Sequence, residues 1–534
     1  MAWNLFLTAI VILLCILFHK LSHKIGVPML LGFIILGMAF GTDGIVKIYF
    51  ENYRLAEQIC SIALIFIMFY GGFGTNWKEA RPVAVKSVLL SSLGVILTAL
   101  LTGGFCHLVL KFNFLESLLI GSVISSTDAA SVFSILRSKK MGLKYHTASL
   151  LEVESGSNDP CSYMMTSIVL SMISGEANSG SISYMIFAQI VYGVGIAIIL
   201  AYISRQILRN YEFVTAGFDM AFVIGIAILS YALPTLLGGN GYLSVYLVGL
   251  MLGNTKFKNK KSLVHFFDGV TGLMQMLIFF LLGLLATPSK IPGIFLTSLA
   301  IALFLTLVAR PFAVFSLLTP FRCSVKQQLL VSFAGLRGAA SIVFAIMATV
   351  SSAYTSMDLY HIVFCIVLLS ILFQGTFLPA AAKKLDMSDD EHDVLKTFSD
   401  YSDEVDLQFI TLRLTDEFHP WIGQPIRDVA LPPDTMFVMI LRGKEKLIPN
   451  GNTVFQLNDT AVLSARVYQG ANSISLSEQH IQPGSRWVGT RIADFSPHSG
   501  ELVLMIIRGD ETIIPKGNTV ICENDLLVIH SSRQ

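Results

Sequence analysis

Thirteen stretches of this chain are too long and too apolar for a water-soluble core, and they constrain the fold more than any motif does. A helix needs about 20 mostly apolar residues to cross a bilayer, fewer where it tilts or breaks. The stretches run over 3–19, 27–42, 56–74, 84–110, 115–136, 146–173, 182–208, 217–237, 241–254, 263–286, 291–318, 327–350 and 359–382. Gly238, Gly239 and Gly241 leave one border open, as two short spans or one irregular pair. Charged residues make up only 14% of the chain, where a soluble domain keeps roughly a quarter. Lipid offers the backbone no hydrogen bonds, so the spans must satisfy their own. An all-α polytopic membrane domain over residues 1–384 is therefore expected. The apolar start at 3–18 has no basic segment before it and no small-residue cleavage site after it. It reads as a first span and not as a signal peptide.

Charge gives an independent check on the count. With an outside N-terminus, the cytoplasmic segments carry 19 Lys/Arg and the outward loops four, Lys47, Arg54, Lys111 and Lys290. Basic residues are retained on the cytoplasmic side during insertion. The expected placement is the cell's inner (plasma) membrane, with the tail in the cytoplasm. No cysteine pair has CxxC spacing, and no disulfide framework is implied.

Beyond the spans the balance changes sign. Residues 1–384 hold 25 Lys/Arg against 14 Asp/Glu, and residues 385–534 hold 12 against 22. An acidic tail argues against nucleic-acid binding, which needs a basic face. Residues 385–405, with Asp389, Asp390, Glu391 and Asp393, read as an acidic linker. Two repeats follow, 406–468 and 469–534, at a constant offset of 66: Ile440-Leu441-Arg442-Gly443 returns as Ile506-Ile507-Arg508-Gly509, and Asn458-Asp459 as Asn524-Asp525. Their short alternating runs of Val, Ile and Leu between turn signals read as β-rich modules in an α/β tail.

Ionisable groups inside a span cost ~2.5–3.5 kcal/mol on insertion scales, so each is a functional candidate. Asp128, Glu154, Asp159 and Arg337 stand out. Asp159 lies near the middle of the sixth span, with Ser155 one turn away on the same face and Glu154 stacked with Asn158. A hydroxyl beside a carboxylate suits a hard cation, and Pro160 loosens the helix there. Burial favours the neutral form of a carboxylate, so such a group holds a proton or a cation but not both. The alternative is a structural ion pair with Arg337. Asp128 follows Ser125-Ser126-Thr127, small polar residues that compete with helical hydrogen bonds and favour a break. The expectation is Thr127 as a ligand through its carbonyl and Asp128 as electrostatic support; the alternative for Asp128 is a cap alone. Ala129-Ala130-Ser131 returns as Ala339-Ala340-Ser341 after Arg337. If spans 1–6 and 8–13 are repeats, the fifth and twelfth correspond in inverted topology, and two broken helices meet at the midplane. Arg310, beside Pro311, is expected to snorkel.

Thr127-Asp128, Glu154-Ser155 with Asn158-Asp159, and Gly335-Leu336-Arg337-Gly338 resemble the cation/proton antiporter superfamily, in its NhaP-like electroneutral branch and its potassium/proton members in particular. The resemblance covers the whole membrane part. It implies a homodimer in which a six-helix core slides against a dimerisation domain. Asp159 would be the cation and proton site, Ser155 and the Thr127 carbonyl further ligands, Asn158 a support, and Arg337 the partner of Glu154. Asn158-Asp159, where electrogenic relatives have two aspartates, implies one-for-one exchange of K+ or Na+ for H+, these being substrates, with no resident cofactor. Relatives often carry an acid in the third span; this chain has Tyr70 before Gly71-Gly72. The tail repeats resemble the C-terminal regulatory module of potassium-conductance regulators (RCK_C, or TrkA-C-like). Some relatives bind cyclic di-AMP between two such modules, for which Arg442 and Arg508 are the candidate cations; the alternative is a ligand-free dimerising tail. A potassium channel needs a carbonyl filter such as TVGYG, and a zinc hydrolase needs HExxH. Neither occurs in this chain. A tail-regulated channel or an organic-solute carrier is the alternative function.

Overall fold

The computed structural model describes residues 2–389 except 26–28, 140, 176–177, 212–216, 256, 258–259 and 352–356, and residues 407–531 except 416–419, 433–434, 444, 467–474, 496–500, 510 and 514. Most of the acidic linker, 390–406, lies outside the described residues. The chain forms two compact units, Met1–Ser402 and Asp403–Gln534.

The first unit is helical. Its helices are α1 Ala2–Ile25, α2 Met29–Phe40, α3 Tyr53–Gly74, α4 Ala84–Leu108, α5 Phe114–Val123, α6 Ala129–Ser138, α7 Thr147–Ile173 and α8 Ser179–Asn210. Then follow α9 Phe218–Leu236, α10 Gly241–Gly253, α11 Lys260–Leu285, α12 Pro288–Phe321, α13 Val325–Phe333, α14 Ala339–Val350 and α15 Leu359–Lys384. Among the described residues, seven helices are long and apolar enough to cross a membrane by length and composition, and several shorter apolar ones accompany them. Short polar side chains start many of them: Asn113 caps α5, Asn240 caps α10, Ser324 caps α13 and Asp358 caps α15, each accepting from a first-turn N–H. Gly238, at φ +77°, turns the chain between α9 and α10, so the irregular pair is two separate helices.

Lipid provides no hydrophobic drive to pack helix on helix, so close approach relies on small residues. A Cβ on Gly249 of α10 would stand 2.2 Å from the Phe69 carbonyl of α3, and one on Gly72 of α3 would stand 2.2 Å from the Tyr246 carbonyl of α10. α3 therefore lies backbone-to-backbone on α10. Among the described residues three helices carry a π-type turn: Leu90–Gly94 in α4, Leu305–Ala309 in α12 and Ser370–Gly375 in α15. Such widened turns release backbone groups and recur at functional sites.

At one end of the helical unit, β1 (Gly142–Leu143), in the turn between α6 and α7, pairs antiparallel with β2 (Ser388–Asp389), just past α15. Lys144 Nζ lies 3.0 Å from Asp386 beside this clasp.

The second unit holds two copies of one antiparallel sheet. β3 (Leu407–Arg413), β4 (Thr435–Arg442), β5 (Glu445–Leu447) and β6 (Thr460–Arg466) are ordered β3-β6-β4-β5; β7 (Ser475–His480), β8 (Glu501–Arg508), β9 (Glu511–Ile513) and β10 (Leu526–Ser531) are ordered β7-β10-β8-β9. Among the described residues the unit has no α-helix, only short 3-10 turns, so the expected α/β tail is corrected to a β tail. Its apolar runs are too short and too closely spaced by turns to hold a helix.

Arg442 and Arg508 do not point outward for a ligand. Arg442 Nε and Nη2 lie 2.9 and 2.8 Å from the two oxygens of buried Asp459, and Arg508 makes the same fork on Asp525 at 2.8 and 2.8 Å. Burial alone would raise each carboxyl, but the arginine fork and one backbone N–H hold both below the ordinary aspartate value. The fold therefore favours the charged form. Its contribution is full above about pH 4 and is lost as pH falls through the lowered folded value. Hydrogen exchange on the full chain should show β4 and β6 protected at pH 5 and loosened near pH 3. Arg442→Gln should produce that loosening at pH 5, at a cost of about 2–3 kcal/mol, because it strands a buried carboxylate.

Candidate cation site at two broken helices

The predicted breaks are in the structure. The chain leaves helical geometry between α5 and α6 at 124–128 and between α13 and α14 at 334–338. The two breaks meet: the Asp128 N–H donates to the Leu336 carbonyl at 2.8 Å. Each break opens a carbonyl end and an N–H end, and charged side chains sit on them. Arg337 Nη1 donates to the carbonyls of Ile124 and Ser126 at 2.6 and 2.8 Å, covering the negative end of α5. Its own N–H goes to Ser370 Oγ at 3.0 Å, in the π turn of α15. Asp128 accepts from the N–H and hydroxyl of Ser131, capping α6. A Cβ on Gly338 would stand 2.3 Å from the Asp128 carboxylate, so Gly338 lets that charge lie against the start of α14 as well. These hydrogen bonds are those of a helix cap, and Asp128 also lines the cavity beside Asp159.

α7 packs against this crossing and supplies the remaining groups. Ser155 Oγ donates to the Thr127 carbonyl at 2.9 Å and accepts from the Ala129 N–H at 2.8 Å. Asn158 Nδ2 donates to Thr127 Oγ1. Asp159 accepts from the Ser126 hydroxyl. A cavity of about 30 Å³ lies beside Asp159, lined by Ser126, Thr127, Asp128, Gln275 and the start of α14, with α3 as another wall. On this measure a single water needs about 10–15 Å³, so the cavity has room for an alkali cation that keeps little of its hydration. One turn beyond Asp159, Tyr163 packs edge-on to Tyr242 at 5.1 Å and against Phe344 at 5.8 Å, a plug of rings on one side.

Two expectations are corrected. Glu154 does not pair with Arg337. It pairs with Arg310, Nη2 to Oε1 2.6 Å, with side chains 3% and 1% exposed. Arg310 therefore does not snorkel. The reason is angular: Glu154 precedes Asp159 by five residues, which turns it well away from the Asp159 face and toward α12. Arg337, meanwhile, donates from Nη1 to carbonyls of the other break, while its buried Nε has no hydrogen-bond partner among the described residues. Asp159, Thr127, Asn158, Ser155, Asp128 and Arg337 do come together. Ser155 bonds the broken backbone and Asn158 the Thr127 hydroxyl, whereas Asp159, Thr127 and Asp128 line the cavity. Sequence reasoning missed Ser126 and Gln275, although a Gln in the middle of an apolar helix was a visible signal.

The family model described as sodium/hydrogen exchanger, transmembrane, matches residues 9–384. This chain belongs to the sodium/hydrogen exchanger family. The TrkA-C domain matches residues 415–467 and 477–534 of the same exchanger. Among its relatives is the K(+)/H(+) antiporter NhaP of Alkalimonas amylolytica, 32% identical over 86% of this chain and 80% of the relative. Another is the K(+)/H(+) antiporter NhaP2 of Shewanella oneidensis, 30% identical over 85% and 79%. The fold of the sodium proton antiporter MjNhaP1 from Methanocaldococcus jannaschii matches with a TM-score of 0.63 at 23% identity, covering 71% of this exchanger and 97% of that chain. The exchanger is thus an integral membrane protein of a cation/proton antiporter family, with a β-containing tail.

Proposed function

We propose that this chain exchanges a monovalent cation, K+ in preference to Na+, for a proton at Asp159, one for one. The observation that carries the reading is the division of charge at the crossing. Arg337 and Asp128 are committed to helix ends, and Glu154 and Arg310 to each other. Asp159 is left beside a cavity of ionic size with a hydroxyl as its hydrogen-bond partner. A carboxylate so placed takes a proton or a cation in turn, which couples the two fluxes. The names of the relatives above support K+ as the cation. The neutral Asn158 beside Asp159 supports electroneutral exchange.

In this reading the helices make thirteen crossings, with an outside N-terminus and a cytoplasmic tail, in the plasma membrane, as the 19-to-4 distribution of basic residues supports. The working unit is a homodimer. The tail controls transport through the β1–β2 clasp, which ties the strand past α15 to the turn joining the two helices of the site. A cyclic dinucleotide is the ligand class proposed for the tail, met by groups other than the paired Arg442 and Arg508.

In proteoliposomes holding an acid-inside pH gradient, added K+ should collapse the gradient, and Na+ should do so less effectively. An imposed membrane potential should leave the rate unchanged. Cation flux without proton counterflow would support a channel, and a voltage-dependent rate would remove one-for-one exchange.

A further inference from the structure

The stripe of α11 that lines the Asp159 cavity continues beyond it. Gln275 and Phe279 line the cavity. Asp268 lies seven residues before Gln275, two turns away on the same stripe and about 10 Å along the axis toward the start of α11. Exposure falls along this line: Asp268 and Gly272 are exposed, Gln275 is half-buried and Phe279 is buried. α3 runs alongside in the same way. Ile67 lines the cavity, and Tyr70, one turn on, donates its hydroxyl to Asp268 Oδ1 at 3.1 Å. Gly71 of α3 and Gly272 of α11 each leave open space where a Cβ would stand. Together these residues mark a line of approach on α11 and α3, from exposed Asp268 to the cavity beside Asp159.

Asp268 has no cationic partner among the described residues; its hydrogen bond comes from a neutral phenol. That phenol fixes the carboxylate without cancelling its charge. Glu152 lies seven residues before Asp159 on α7, but it is buried and Thr75 Oγ1 lies 3.4 Å from it. Asp268 is therefore the exposed acid of the approach. A fixed charge at the mouth of a low-dielectric cleft concentrates counter-ions there; at about 10 Å, just beyond the Debye length of about 8 Å at physiological salt, it acts on the cation at the mouth more than on Asp159 itself.

We infer that Asp268, oriented by Tyr70, is a first binding station for alkali cations on the way to Asp159. This rests on the exchange reading above. The station sets how much cation is needed to load the exchanger and leaves the exchange step itself to Asp159. It also gives Tyr70 a role, as a phenol of α3 that holds an acid of α11.

The test is a K+ titration of proton exchange in proteoliposomes. Asp268→Asn should raise the half-saturating K+ concentration about fivefold, the worth of one unit charge at contact in watery surroundings, with the maximal rate within about twofold of wild type. Asp268→Glu should restore the wild-type value, and Tyr70→Phe should shift it in the same direction but less. The Asp268→Asn shift should shrink when choline chloride raises the ionic strength. A purely structural role would lower the maximal rate at unchanged half-saturation, and that result would overturn the inference. So would an unchanged half-saturation in Asp268→Asn against an active wild type. A wild-type chain that exchanges nothing would instead remove the exchange reading itself.

Discussion

Asp159→Asn reduces K+-driven proton exchange to the rate of protein-free liposomes while leaving the protein folded. The side chain keeps its shape, and its carbonyl oxygen still accepts from the Ser126 hydroxyl. What is lost is the ability to gain and lose a proton, together with the negative charge that a desolvated cation requires. Thermal unfolding in detergent should be equal to or above wild type, because burying a neutral amide costs less than burying a carboxylate. That combination separates transport from folding. Asp128→Asn is the control: Asn caps a helix about as well as Asp, so this variant should keep a reduced but measurable exchange. Full activity in Asp159→Asn would sink the site, and equal loss in both variants would mean that the crossing, not Asp159, is the sensitive element.

The parts of this molecule legible in the sequence are those that a short segment decides alone. Small polar residues at 125–127 and the glycines flanking Arg337 announce breaks because they weaken the helix wherever it stands, and both breaks are present. The tail repeats were readable because short alternating runs between turns can only pair as strands. Partners across helices were not readable in the same way. Arg337 and Glu154 were matched as opposite charges, but the match depends on how α7, α12 and the crossing rotate against one another, which no local pattern states. Arg310, beside Pro311 and nearer the cytoplasmic side of the span 291–318, carries the local marks of a snorkelling residue. In the structure α12 runs from Pro288 to Phe321, and its π turn at Leu305–Ala309 directly precedes the arginine. Asp268, near the start of the apolar run at 263–286, has no neighbouring motif to mark it. The arginines of the tail were taken for ligand contacts because their repeat positions matched, yet Asp459 and Asp525 repeat in the same register, and that second match was the informative one.

The Glu154–Arg310 pair offers the sharpest energetic test of the structure. Both side chains are almost fully buried, at 1% and 3% exposed, so removing one partner strands a charge in a low-dielectric interior. Arg310→Met should lower stability by about 3–5 kcal/mol, and Glu154→Gln should also destabilise. The double variant should recover much of the loss, since replacing both members of a buried pair by neutral groups of similar size is often close to neutral. A double-mutant cycle read by thermal unfolding in detergent should therefore give a coupling on the order of 2 kcal/mol for Glu154 with Arg310. For Glu154 with Arg337 the same cycle should give a much smaller coupling, because Arg337 hydrogen-bonds Ile124 and Ser126 carbonyls. Arg337→Met should instead uncover the end of α5 and impair exchange together with stability, a loss that Glu154→Gln does not relieve. The opposite pattern, strong coupling to Arg337 and none to Arg310, would reassign the carboxylate and bring α7 and the crossing into a different rotation.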